Sequence, residues 1–347
     1  MAARQTEGRI PLSAISIQYL HTNSTSHTRP FSAIAELIVN GYDHHVNANQ
    51  IWIDKTQIKD KECLTFMDNG NGFSPDLMQR KLSGSEMWQN RASLRDILDH
   101  SPFNTEEELL TELQAIEGPT GTKIIIWNLC RTSEGKMELD FTAENDIRII
   151  CNGSGTSVPE IHSSLRAYCS ILYLRPSMQI NIRGKKVEDR PIYESLDYID
   201  RSYSYKPLTL ERIPIIFGNN KSKEHYGLMM YHNNRLIKAY KRVTTQMTSI
   251  GVIGVIECNH LSPTPNKQDF DNDDAYKKTI KSMAEKLRNY SEKISKNVGD
   301  NNSNNNSDNN NVPIEEPNNE RNDEHGESEE SSGEGPSGKM RFVLSGW

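Results

Sequence analysis

Glu36 and Asn40 lie one helical turn apart in the run Glu36-Leu37-Ile38-Val39-Asn40-Gly41-Tyr42-Asp43. At i and i+4 on a helix, both side chains project from one face. A carboxamide oxygen ligates Mg2+, a hard cation that keeps several waters and phosphate oxygens. A carboxylate beside it orients and deprotonates an attacking water. The pair therefore suits metal-assisted hydrolysis of a phosphate. Taken alone, an ordinary solvated helix face is the commoner explanation.

A second motif, Asp68-x-Gly70-x-Gly72, follows an apolar run about thirty residues later. An aspartate there accepts a hydrogen bond from the exocyclic amine of adenine, and the glycines let the backbone pass close to the base. A plain Asp/Gly turn has the same composition. Gly121-Thr122 opens another apolar run. The Thr122 hydroxyl is placed to bond the aspartate or a bound water, a signal that means little by itself.

These residues need elements to hold them. Pro30 suits a first helical position, and Phe31, Ile34, Ala35 and Ile38 recur at helical spacing, with Gly41 and Asp43 as terminators. Residues 51–54 and 63–67 read as strands, with the Lys- and Asp-rich stretch between them as the turn. Residues 75–82, 92–100 and 105–116 read as helices, the last opened by a capping box of Thr105 and Glu108. Residues 123–129 form a strongly apolar strand. Past Asp146 the texture changes. A helix over 163–174 is expected to cover a sheet built from 178–182, 212–217, a hairpin around Asn233-Asn234 and 252–258. Ile216 is placed in the middle of a buried strand, and an amphipathic helix runs over 274–294. No internal repeat is visible.

Composition sets the outer bounds. The 347 residues allow two domains, and 35% hydrophobic against 25% charged residues implies that part of the chain stays unordered. From about Lys296 the chain is Asn-, Ser- and Glu-rich, and disorder is expected; Met340 to Trp347 turn apolar again and read as a short contact motif or, more readily, as the end of a variant transcript. A net charge of −7 gives no global attraction to DNA, so a nucleic-acid contact would need a local basic patch. Five scattered cysteines, an odd number without a C-x-x-C pair, argue against a disulfide framework and against zinc. No apolar stretch approaches the roughly 20 residues of a membrane span, and no secretory signal opens the chain, so an intracellular, soluble protein is expected.

The order Glu-x-x-x-Asn, Asp-x-Gly-x-Gly and Gly-Thr resembles the GHKL superfamily of ATP-binding proteins. Longer runs narrow the match: Arg29-Pro-Phe-Ser-Ala-Ile-Ala-Glu36, Ile51-Trp-Ile-Asp-Lys, Lys123-Ile-Ile-Ile-Trp-Asn-Leu, Ser164-Leu-Arg-Ala-Tyr-Cys, Tyr226-Gly-Leu-Met-Met-Tyr-His-Asn-Asn-Arg-Leu-Ile-Lys and Asn266-Lys-Gln-Asp-Phe270. From about Ile10 to Ser295 the chain is similar to the MORC (microrchidia) family, in the subgroup whose CW zinc finger reads histone H3 tails. The resemblance implies an α/β fold, an α+β sandwich. A Bergerat-type ATP module with its N-terminal strap occupies 1–145, a transducer-like βαβ domain 146–295, and a disordered tail 296–347. It gives Glu36 the general base, Asn40 the Mg2+ ligand, Asp68 the adenine, with Gly70, Gly72 and Thr122 beside it, and Lys267 the γ-phosphate. It also implies a nuclear, chromatin-associated protein that pairs with itself or with full-length relatives and meets DNA indirectly, with no membrane role.

Two departures qualify that picture. Val39 replaces the aspartate usual in the family's Glu-Leu-Ile-Asp-Asn. After Leu82 the glycine-rich, phosphate-covering lid is missing, with Lys81-Leu-Ser-Gly-Ser-Glu-Met-Trp88 running almost directly into Ala92. Backbone N–H groups that would cradle phosphates are lost with it, an incomplete central sheet with an open edge is expected, and the chain ends before a CW finger. The leading expectation is a module impaired in hydrolysis. Its rivals are a working Mg-ATPase that dimerises on ATP and acts in chromatin compaction or silencing, and a splice form or duplicate without a stable fold.

Overall fold

The computed structural model describes residues 30–72, 95, 98–114, 120–149, 159–176, 178–188, 191–207, 211–220, 225–244, 251–303 and 341–346. The architecture is mixed α/β, with a six-stranded and a five-stranded sheet. The expected helix over 75–82 and Cys151 lie outside the described residues.

Helix α1, Pro30–Tyr42, forms where the apolar spacing demands it and buries Phe31, Ile34, Ala35 and Ile38. It covers one face of the first sheet, whose order is β13-β3-β2-β1-β6-β7. β1 (Gln50–Ile58) pairs antiparallel with β2 (Lys61–Asp68) from Ile51↔Asp68 to Ile58↔Lys61. The turn is thus only Lys59-Asp60. The Lys-rich stretch continues the strand because Lys55 pairs with Glu62 across the ladder and Ile58 is buried below it. β3 (Thr122–Trp127) follows β2. Helix α2 (Glu106–Gln114) covers the opposite face through Leu109, against Ile58, Cys63, Ile125 and Trp127. Its cap is Thr105, which accepts from the Glu108 N–H at 3.2 Å, while Glu108 Oε2 accepts from the Asn104 N–H at 2.7 Å, one residue further back than a capping box reaches.

Two expectations about this sheet are corrected. Residues 179–182 form β6 (Gln179–Ile182), which lies parallel to β1 in the first sheet and not in the second; Ile180 and Ile182 drop into the core shared with Ile51 and Ile53. The edge of β3 is not open: β13 (Arg341–Gly346) pairs along it antiparallel from Arg341↔Trp127 to Gly346↔Thr122. The short strands β4 (Leu139–Asp140), β5 (Arg148–Ile149) and β7 (Lys185–Lys186) complete this half.

The second sheet has the order β11-β10-β12-β9-β8. Its strands are β8 (Asp197–Tyr205), β9 (Ile213–Asn219), β10 (Gly227–His232), β11 (Arg235–Lys241) and β12 (Val252–Glu257). The hairpin turn is Asn233-Asn234, both with positive φ, as their side chains tolerate. Alternation sends Leu228 and Met230 to one face and Met229 and Tyr231 to the other. Helix α4, Asp274–Ser303, covers the first face with Tyr276, Met283, Leu287, Tyr290 and Ile294. It runs past Ile294, so residues 296–303, expected in the tail, are helical. Ile216 is only partly buried, and its neighbours Ile215 and Phe217 take the core positions.

Helix α3, Leu165–Ser170, is shorter than the expected 163–174 and is capped by Ser164, whose hydroxyl accepts from the Ala167 N–H. The helix and the chain leaving it serve both sheets. Leu165, Cys169 and Leu172 pack toward the first, while Ala167, Ile171 and Leu174 pack toward the second. Arg166 fastens it by donating to the carbonyls of Asn145, Ile182, Lys185 and Lys186 at 2.7–3.0 Å. Buried Asp146 accepts from the Ser164 hydroxyl and from the N–H groups of Ile147 and Arg166.

Candidate functional site

Helix α1 carries Glu36 half-buried and Asn40 exposed, one turn apart. Glu36 Oε2 accepts from Lys267 Nζ at 3.1 Å, and Oε1 accepts from Arg235 Nη2 at 2.6 Å. The chain therefore closes over more than 230 residues to bring the carboxylate and the lysine together. Lys267 sits between β12 and α4 at a φ of 50°, in a tight loop where its N–H donates to the Thr264 carbonyl.

Arg235 is delivered by the hairpin. It is the first residue of β11, directly after the Asn233-Asn234 turn. The Leu236 N–H donates to the Leu172 carbonyl, and Tyr173 forms a β-bridge with Arg235, so the hairpin end is stitched to the chain leaving α3. Phe31 of α1 lies against Tyr168, and Tyr42 against Tyr173. Burial alone would push the Glu36 carboxyl up. The hydrogen bonds and charges of Arg235 and Lys267 outweigh it and hold the group below the usual range. Burial pushes the Tyr168 phenol up to about 12.

The other end of the site is Asp68, at the C-terminal end of β2. Its Oδ1 accepts from the Gly70 N–H at 2.9 Å, and both the hydroxyl and the N–H of Thr122 donate to the carboxylate. Burial pushes this carboxyl up, and those donors offset only part of the effect. Gly70 is required: a Cβ there would lie 2.5 Å from Val46 Cγ1 and 2.6 Å from the Val46 carbonyl oxygen. Gly72 adopts a φ of 58°. Gly41 brings the helix close, its Cβ position 3.8 Å from the Asp68 Cβ.

The structure thus gathers Glu36 with Lys267, and Asp68 with Gly70 and Thr122, while Asn40 faces solvent. Sequence reasoning missed Arg235, because an arginine after an Asn-Asn turn reads as a solvated surface residue. Asp43, His44 and His45 bring ligand atoms within 4.8 Å of one another, but all three are exposed chain neighbours. A cleft of about 650 Å3 lies away from Glu36 and Asp68, lined by Arg175, Arg201, Arg212, Glu257 and His260 of the second half.

Comparison with known proteins gives this geometry a context. Residues 163–291 match the family described as Morc6 ribosomal protein S5 domain 2-like. The chain is 42% identical to MORC family CW-type zinc finger protein 3 of Mus musculus over 393 aligned positions, covering 86% of this chain and 41% of that protein. It is 38% identical over 202 positions to Protein MICRORCHIDIA 6 of Arabidopsis thaliana, covering 52% and 30%. With ATPase MORC2B of Mus musculus the identity is 25% over 438 positions, covering 80% and 43%. The chain spans less than half the length of each of these relatives. The alignments with both mouse proteins exceed the 347 residues of the chain, so stretches of those relatives have no counterpart here. A match that runs through both halves, together with the specific match to the second, means that this chain belongs to the MORC (microrchidia) family.

Proposed function

We propose that this chain is a nuclear, chromatin-associated MORC-type protein whose GHKL nucleotide module is impaired in ATP hydrolysis. The observation that carries a nucleotide site is the pairing of Glu36 with Lys267 across the two halves. Asp68 supports a purine at the other end, since Gly70 and Thr122 fix its carboxylate and leave acceptor capacity. Bound Mg2+ would supply charge neutralisation at the phosphates, with the exposed Asn40 carboxamide as its ligand. The alignments longer than the chain support loss of the glycine-rich lid, and a carboxylate held low by two cations is a weak base. Calorimetry with a non-hydrolysable ATP analogue and Mg2+ measures binding, and turnover against a Glu36→Ala control measures hydrolysis. Tight binding with Glu36-dependent turnover would overturn impairment. It would favour the second reading, a working ATPase that dimerises, for which the retention of Glu36, Asn40, Asp68 and Lys267 speaks.

A further inference from the structure

The two cations on Glu36 differ in kind. The Lys267 side chain is 42% exposed and sits on a loop, whereas that of Arg235 is 7% exposed and sits in a strand stitched to Tyr173 and Leu172. Arg235 Nε and Nη1 are buried and find no protein partner among the described residues, and Glu36 is the one carboxylate paired with Arg235 there. The neighbouring phenols, Tyr168 and Tyr173, are pushed up by burial and stay neutral. A guanidinium stays charged in proteins, and a buried charge stripped of its counter-ion is strongly destabilising. An exposed lysine loses little by leaving, and salt screens it.

We propose that Arg235 is the positioning residue of Glu36: it fixes the carboxylate's direction, while Lys267 is a releasable partner that transfers to an incoming phosphate-bearing ligand. Arg235 never leaves, so the carboxylate stays aimed when the lysine departs. The inference rests on Glu36 belonging to the nucleotide site proposed above.

The test is a pair of double-mutant cycles on the full chain, Glu36→Gln with Arg235→Met and Glu36→Gln with Lys267→Met, read by urea midpoints. Each cycle is run at low salt and at about 1 M NaCl, where the screening length is about 3 Å. The Glu36–Arg235 coupling should persist in high salt and the Glu36–Lys267 coupling should vanish. The pH profile adds a readout that packing alone would not move. The folded Glu36 carboxyl lies below its ordinary value, so its contribution is present above the ordinary glutamate range and is lost as pH falls through the lowered one. Arg235→Met raises the folded value, so that loss should end at higher pH and be smaller, and Lys267→Met should change it less. If Arg235→Met fails to fold, Arg235→Lys, which keeps the charge without the fork, should show a reduced but salt-resistant coupling. The proposal is overturned if the Arg235 substitution costs the same with Glu36 or Gln at that position, or if both couplings fall together with salt. These readings decide the positioning role of Arg235 whether or not the ATP analogue binds; failure of that binding overturns the proposed function and, with it, the transfer of Lys267, but not the role of Arg235.

Discussion

Asp68 and Thr122 stand directly opposite each other in the antiparallel register of β2 and β3, and Thr122 donates to the Asp68 carboxylate from both its hydroxyl and its backbone. Strand pairing itself therefore sets the candidate base-reading group. Thr122→Val removes the hydroxyl donor and should cost about 1 kcal/mol. It should also raise the Asp68 carboxyl further. A calorimetric titration with the ATP analogue should show weakened binding in this variant. Unchanged affinity would detach Asp68 from the ligand.

The raised Asp68 carboxyl also makes a pH prediction. A folded acid with a raised pKa holds its proton more readily than the unfolded chain does, so stability falls as pH rises through the window above the ordinary aspartate value of about 3.9. Asp68→Asn should flatten that slope. Urea midpoints measured from about pH 4 to 7 check it, and an unchanged slope would mean that another group supplies it.

Packing predicts an order of damage. Ile53 is 1% exposed and paired on both sides, to Phe66 in β2 and Ile182 in β6. Ile53→Ala should cost roughly 2–5 kcal/mol. Ile216→Ala should cost less, since Ile216 is only partly buried. The two variants in one urea series decide the order. A larger loss at Ile216 would show that the first sheet is loosely packed.

The C-terminal strand gives a fourth test. Deleting residues 341–347 should unpair the outer edge of β3 over Thr122–Trp127. Hydrogen exchange of those amides should accelerate, and the exposed edge should promote association in sedimentation. Unchanged protection would mean that β13 does not hold that edge in solution.

Local rules made much of this readable. The apolar spacing from Phe31 to Ile38 gave α1, Asn233-Asn234 gave the hairpin, and Glu36 with Asn40 gave one helix face. What resisted reading was partnership at a distance. Residues 178–182 have the same apolar texture whether they join one sheet or the other, and only the parallel register with β1 decides. Ile216 and Ile215 are identical in type, and which one faces helix α4 and which the cluster of Met229 and Tyr231 depends on a one-residue choice of face. Arg235 became legible only when the hairpin was seen to dock on the end of α3. The texture of 341–346 could not announce a strand whose partner lies more than 200 residues earlier.

The placement of β6 has a consequence for how the protein is made. β1 and β2 leave the ribosome early and pair locally, but the other edge of β1 has to wait for Gln179–Ile182. The outer edge of β3 waits longer still, for Arg341–Gly346, more than 200 residues downstream. A nascent chain thus carries two open strand edges, one of them until residues 341–346 have emerged. Unpaired edges of this kind are where incomplete chains associate. Elongation speed and chaperone access across these stretches should therefore govern the yield of folded protein more than the stability of the finished sheet does.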